Sequence, residues 1–320
     1  MKISGFTFVR NADKLYYPIK ASIESILPIV DEFVIALGNC DTDDQTRKEI
    51  LTIKSDKLKI IETVWDTTAY PRGMEHAHQT DIAKEACKGD WLIYLQADEL
   101  IHEKYLPTIQ KACAHYLNDT NVEGFLLKYR HFYGDYQHYF DGYGWYPREI
   151  RIIRNIPEIH SYISAQSFRR IPNFDGKNYR IKEGTFKLKV ILLDAYIYHY
   201  GWVRPPRYMQ TKKKAFDTTH HGASHVSKAY ANQPQEFDYG TLGNLSIFKD
   251  SHPATLQSWI AKFDWGHKLN YTTKVNPDFP RHKHEQLKYR IRTFIEKKVL
   301  CFKDKELGYN NWKIISKFPG

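Results

Sequence analysis

The sequence predicts an α/β protein: a mostly parallel central sheet with helices on both faces, followed by a mainly helical C-terminal extension. Three observations carry this reading. Strand-like and helix-like stretches alternate four times in the first hundred residues, the pattern of parallel strands joined by right-handed crossovers. The first of those strands carries almost no charge, as expected of a strand buried on both faces. Beyond about residue 205 the chain turns basic, with helical spacing of its apolar residues at either end of the stretch.

Taken in order, residues 3–9 form the first strand. Leu15, Ile19, Ile23, Ile26 and Leu27 then recur at helical spacing until Pro28 ends the helix. Residues 32–37 are a second strand, followed by a polar loop over 38–44; residues 57–64 are a third, ending at Trp65-Asp66. A helix over 75–87 precedes the apolar run 91–95, which ends in Gln96-Ala97-Asp98-Glu99, and a helix over 100–116 follows. Residues 123–132, 149–154 and 186–200 read as further strands, separated by an aromatic, glycine-rich stretch over 133–147. Pro205-Pro206 opens a basic helix, the residues past about 220 are hard to assign, and 286–303 form a basic amphipathic helix. Its apolar face (Leu287, Ile291, Phe294, Ile295, Val299) is expected to pack on the core; contact with an anionic membrane surface is the alternative. The domain expectation is 1–204 for the α/β unit and 205–320 for the extension.

Composition is that of a globular protein, with 42% hydrophobic and 26% charged residues. Cys40, Cys87, Cys113 and Cys301 are too widely spaced for a metal knuckle. With no leader at the start and no apolar run long enough to cross a membrane, they read as reduced thiols of a cytoplasmic protein. A net charge of +10 favours phosphate-bearing partners. The 23 tyrosines suit stacking on sugar faces, or simply half-buried filler. Neither a Gly-x-Gly-x-x-Gly turn nor a Gly-Lys-Ser/Thr loop is present, which excludes a dinucleotide fingerprint and a P-loop.

In an open α/β sheet, ligands sit beyond the carboxyl ends of the strands. Arg10, Asn39, Asp41, Asp66 and Asp98 all lie in loops that follow the first four strands. Carboxylates there can hold a hard divalent cation, which commonly bridges protein to substrate phosphates. Asp98 and Glu99 can equally cap the helix that follows. Both readings stand on the segment alone.

The order of motifs Phe8-Val9-Arg10-Asn11-Ala12-Asp13, Cys40-Asp41-Thr42-Asp43-Asp44-Gln45-Thr46 and Gly89-Asp90-Trp91 running into Gln96-Ala97-Asp98-Glu99 resembles the family-2-type glycosyltransferases with a GT-A, Rossmann-like fold, in particular the subgroup that builds bacterial lipopolysaccharide and capsule glycans. The resemblance covers residues 2–155 and extends loosely to Trp202. It implies a nucleoside-diphosphate sugar donor, a saccharide or lipid-linked acceptor, Mn2+ or Mg2+ as cofactor, and a location in the cytoplasm or at the inner face of the cell membrane. By the same resemblance, Asp98 and His199 are metal ligands. Arg10, Asn39, Asp41, Asp66, Asp81, Gln96 and Arg204 belong to the donor site.

Gln96 stands where the family has an aspartate, and Ala165-Gln166 stands where relatives often carry His-Glu. An amide hydrogen-bonds ribose but lends no charge to a cation, and it cannot act as a base. An inverting transfer needs a carboxylate beside the acceptor hydroxyl, which leaves Glu149 and Asp141 as candidates. Tyr143, Trp145 and Tyr146 offer a flat aromatic wall for the acceptor. A non-catalytic module that binds nucleotide sugar is the second reading. A nucleic-acid binder ranks last, because the acidic edge loops would repel phosphates without a metal.

Overall fold

Apolar runs become the strands that the alternation predicts. The structure, a computed structural model, describes residues 1–299 and 310–318. Strands β1 (Ile3–Val9), β2 (Glu32–Gly38), β3 (Leu58–Thr63) and β4 (Trp91–Tyr94) lie in the order β3-β2-β1-β4, all parallel. Their crossovers carry α1 (Ile19–Glu24), α2 (Thr46–Leu51) and α3 (Met74–Glu85). Ile23 of α1 and Ile50 of α2 meet Ile35 and Ile93 on one face of the sheet, while Ala83 of α3 meets Phe6, Val34 and Leu92 on the other.

After β4 the structure departs from the expected helix over 100–116. Residues Glu99–Ile101 form a short strand, β5, and the helix α4 starts only at Leu106 and ends at His115. Asp98 and Glu99 therefore cap no helix. The next strands are β6 (Gly124–Tyr133), β7 (His138–Phe140), β8 (Arg148–Arg154), a separate hairpin of β9 (Ile159–Tyr162) and β10 (Ser167–Arg170), and the fifteen-residue β11 (Leu188–Trp202). Strand β8 inserts between β4 and β6 and is antiparallel to both, whereas β11 runs parallel to β6 and antiparallel to β5. The eleven-stranded sheet is thus mixed beyond β4. No helical crossover joins β6 to β8, and antiparallel neighbours need none.

Beyond residue 205 the chain does not form the expected, mainly helical extension. Helices α5 (Pro206–His221), α6 (Ala223–Tyr230), α7 (Gln257–Ile260) and α8 (Leu287–Phe294) alternate with long irregular segments. Strand β12 (Ser246–Ile247) pairs with β7, and β13 (Trp312–Phe318) lies parallel to β11 within the main sheet. The length of β11 leaves backbone beyond its pairing with β5, and an extended segment covers it. Between these strands, Met209, Leu242, Leu256, Trp259 and Trp265 join Phe132, Tyr198 and Tyr200 in one aromatic-rich core. Much of the aromatic surplus is used there.

The apolar face of α8 does not pack on the core as expected: Leu287, Ile291 and Phe294 are 67%, 50% and 61% exposed. Residues 300–303 of the expected helix, and Cys301, lie outside the described residues. No helix among the described residues is long and apolar enough to cross a membrane.

One buried ion pair ties the elements around β4 together. Glu99 accepts Nε and Nη2 of Arg151 at 2.8 Å each and the Tyr129 hydroxyl at 2.7 Å. Arg151 also donates to the Gln166 carbonyl at 2.8 Å, and both charged side chains are fully buried. Removing one partner leaves a buried charge uncompensated. Replacing Arg151 with Leu is therefore expected to cost about 3–5 kcal/mol of unfolding free energy, measured by urea denaturation.

Candidate functional site

Asp98 lies in the turn just before β5, next to the Glu99 that Arg151 engages. The pairing of β5 with β11 sets Glu99 opposite His199, and the Tyr200 amide donates to the Asp98 carbonyl at 2.8 Å. This brings Asp98 Oδ2 to 3.8 Å from His199 Nε2, both side chains less than a tenth exposed. On its other side β11 pairs His199 with His131 of β6, and the two Nδ1 atoms are 3.0 Å apart. His131 Nε2 meets the Tyr146 carbonyl at 2.7 Å.

Two cations complete the cluster. Lys212 of α5 donates to the Gly201 carbonyl at 2.6 Å and lies 3.4 Å from Asp98 Oδ2. Its chain passes near the rings of Tyr17 and Trp202. Arg204 is fully buried with its guanidinium over the Tyr17 ring, and Nη1 donates to the Leu15 carbonyl. Its Nε and Nη2 have no hydrogen-bond partner. A buried guanidinium with two unused nitrogens is costly unless an anion completes it.

Burial alone would raise the Asp98 carboxyl, but Lys212, His199 and Arg204 outweigh it and hold the group below the usual carboxylate range. Burial lowers His199 from its ordinary value, against the opposing pull of Asp98 and Glu99. Lys212 falls to about 7 through burial and then the nearby Arg204 charge.

The residues present fit a divalent cation. Oxygen and imidazole donors that share one ion at ~2.0–2.2 Å stand about 3–4 Å from each other, which matches the Asp98–His199 separation. The space between them is kept open by Gly201: a Cβ there would lie 2.5 Å from His199 Nε2 and 2.7 Å from Asp98 Oδ2. Among the described residues no group of three or more His, Cys, Asp or Glu side chains forms a cage. Two protein donors, with the remainder from water and substrate phosphates, is the usual arrangement for Mg2+-type sites.

The nucleoside candidates gather at the carboxyl ends of β1–β3. Arg10 donates to the Asn39 carbonyl at 3.1 Å and lies over the Trp65 ring, and Asn39 Oδ1 accepts from the Trp65 amide. Asp41 pairs with Lys14 at 2.8 Å, and Asp66 accepts the Thr68 and Ala69 amides. The loop after β1 links this group to Asp98, since it supplies Lys14, Leu15 and Tyr17 to the two halves.

Other candidates lie elsewhere. Asp81 is held by His160 at 2.7 Å and the Ser161 amide at 2.8 Å, bordering a cavity of about 530 Å³ under Tyr70, His78 and Phe174. Gln96 donates to the Ala165 carbonyl at 2.8 Å, so the segment carrying Ala165-Gln166 does reach the motif. Trp145 and Tyr146 pack on His131, whereas Tyr143 is drawn outward to Arg292 and Tyr289. Asp141 lies in the loop between β7 and β8. Glu149 is buried, with Oε1 accepting Ser167 Oγ at 2.8 Å and the Ile150 amide at 3.1 Å, and it makes no hydrogen bond to Asp98 or His199. Burial raises its carboxyl to about 7 despite Arg151 and Ser167.

Lys212, Gly201 and His131 do not stand out in the sequence. A signal for Lys212 is present there, since it falls three and four residues after Met209 and Tyr208, on the inward face of α5.

No family model matches the chain, and no curated protein matches it. Among solved structures, the chain is similar to TarS 1–349 from S. aureus in complex with UDP, with a TM-score of 0.39 and 15% identity over 71% of this chain and 69% of that one. It is also similar to glucosyl-3-phosphoglycerate synthase from Mycobacterium tuberculosis in complex with Mn2+, UDP and phosphoglyceric acid, with a TM-score of 0.27 and 18% identity. That match covers 41% of this chain and 43% of the synthase, less than half of its length. Likenesses this loose carry no functional argument, which rests on the side chains.

The geometry leads to two expected outcomes. Gly201→Ala places a methyl between the two donors and is expected to abolish Mn2+ binding in calorimetric titration while the chain still folds. The folded protein keeps the Glu149 proton up to about pH 7, whereas the unfolded chain releases it near 4.5. Folding stability attributable to this group is therefore lost as pH rises between those values. Glu149→Gln should remove that slope and raise stability at pH 8 by on the order of 2–3 kcal/mol, read from urea midpoints at pH 5 and pH 8.

Proposed function

We propose that this protein is a metal-dependent glycosyltransferase that moves a sugar from a nucleoside-diphosphate donor to a saccharide or lipid-linked acceptor of a surface glycan. The observation that carries the reading is the convergence of Asp98, His199 and the half-satisfied Arg204 at one point of the sheet edge. An acid and an imidazole alone would suit a metal; with a buried, half-used guanidinium beside them they suit a metal-bound diphosphate.

Asp98 and His199 would hold Mn2+ or Mg2+, which when bound would supply neutralising charge to the departing diphosphate. Arg204 and Lys212 take phosphate oxygens from the opposite side. The loops of Arg10, Asn39, Asp41 and Asp66 hold the nucleoside, and Gln96 faces the ribose. Trp145 and Tyr146 form the wall on which the acceptor ring lies. Transfer forms a bond between the acceptor hydroxyl oxygen and the anomeric carbon and breaks the bond from that carbon to the diphosphate. The hydroxyl proton passes to a base, for which Glu149 is the favoured group: a carboxyl near 7 suits that role at neutral pH. The exposed apolar face of α8, flanked by Lys288, Arg290 and Arg292, supports peripheral contact with an anionic membrane that carries the acceptor.

The second reading, a module that binds nucleotide sugar without transfer, is favoured by Gln166 standing in the segment that reaches Gln96. A panel of nucleoside diphosphates and their sugars, with and without Mn2+, separates the two. A donor should raise the melting temperature only with metal, and should be hydrolysed slowly. Asp98→Ala should lose both effects, and Lys212→Met should lower the rate by roughly 100-fold with the metal-dependent shift retained. Full activity in Asp98→Ala would overturn the metal assignment, and binding without any hydrolysis would favour the non-catalytic module.

A further inference from the structure

We infer that His131 is a positioning residue that fixes the tautomer of His199, so that the Nε2 lone pair of His199 faces Asp98. The inference rests on the reading of Asp98 and His199 as a metal pair.

Ring protons decide the matter. A carbonyl oxygen only accepts, so the 2.7 Å contact between His131 Nε2 and the Tyr146 carbonyl requires the proton of His131 on Nε2. His131 is 2% exposed and hydrogen-bonds no carboxylate, so a second ring proton would leave a charge buried and unpaired. Its Nδ1 is therefore an acceptor. The 3.0 Å contact between the two Nδ1 atoms then needs a proton, and His199 Nδ1 supplies it. With that proton on Nδ1, the other ring nitrogen, Nε2, 3.8 Å from Asp98 Oδ2, is the one left to ligate. A lone pair and a carboxylate facing one another repel unless a cation lies between them, and the missing side chain of Gly201 leaves that place clear.

The backbone makes the arrangement stiff. His131 and His199 are direct partners in the parallel pairing of β6 with β11, so the ring contact is set by strand register. Trp145 and Tyr146 pack against the His131 ring from the flap side. Partners that orient a ligand imidazole through its other nitrogen commonly change metal affinity roughly 10- to 100-fold.

The test uses the full chain and two variants. His131→Phe keeps the ring shape and removes the acceptor; His131→Asn restores an acceptor oxygen near the Nδ1 position. In 15N-histidine spectra of the metal-free wild type, His199 should carry its proton on Nδ1, its signals being assigned by their loss in His199→Ala. That preference should collapse to a tautomer mixture in His131→Phe and return in His131→Asn. Titration with Mn2+ alone, followed by electron paramagnetic resonance, should show an affinity about 10- to 100-fold weaker in His131→Phe and largely recovered in His131→Asn. A wild-type His199 protonated on Nε2 overturns the inference. So does an unchanged Mn2+ affinity in His131→Phe when Asp98→Ala has lost it. Absence of Mn2+ binding in the wild type overturns the metal reading, and the tautomer spectra still decide the role of His131.

Discussion

The fully buried pairing of Glu99 with Arg151 is the constraint on which the site depends. A carboxylate and a guanidinium away from water are tolerable only when both are fully hydrogen-bonded. Glu99 takes two bonds from Arg151 and one from Tyr129, which fixes β5, β6 and β8 relative to one another. The same guanidinium holds the Gln166 carbonyl close to the motif.

The electrostatics around Asp98 are asymmetric. Lys212 and Arg204 lower the Asp98 carboxyl, whereas burial lowers both His131 and His199 from their ordinary values. The cations keep the carboxylate ionised despite burial, and Arg204 retains unused donors. The basic surplus of the chain fits this, although the cations that matter are two buried ones rather than the many at the surface.

The parallel half of the sheet was legible because apolar runs and helical spacing alternate within it, and both are local signals. Strand β5 was not: Glu99-Leu100-Ile101 also suits a helix, and pairing with β11 almost a hundred residues later decides it. The same holds for the C-terminal stretch, where β13 is claimed by the free edge of β11. At the site, Asp98 could be read as an acid after a strand, and His199 came only through a resemblance. Lys212 was hidden in a lysine run that reads as a solvated face. The contact of Asp81 with the β9–β10 hairpin was not legible, because nothing local in the sequence announces that hairpin.

The three-residue pairing of β5 with β11 also bears on how the site comes into being. A slip of one residue would turn each of these side chains to the other face. Asp98 and His199 would then part. A ligand bound between Asp98 and His199 would draw the chain toward its correctly paired state by mass action.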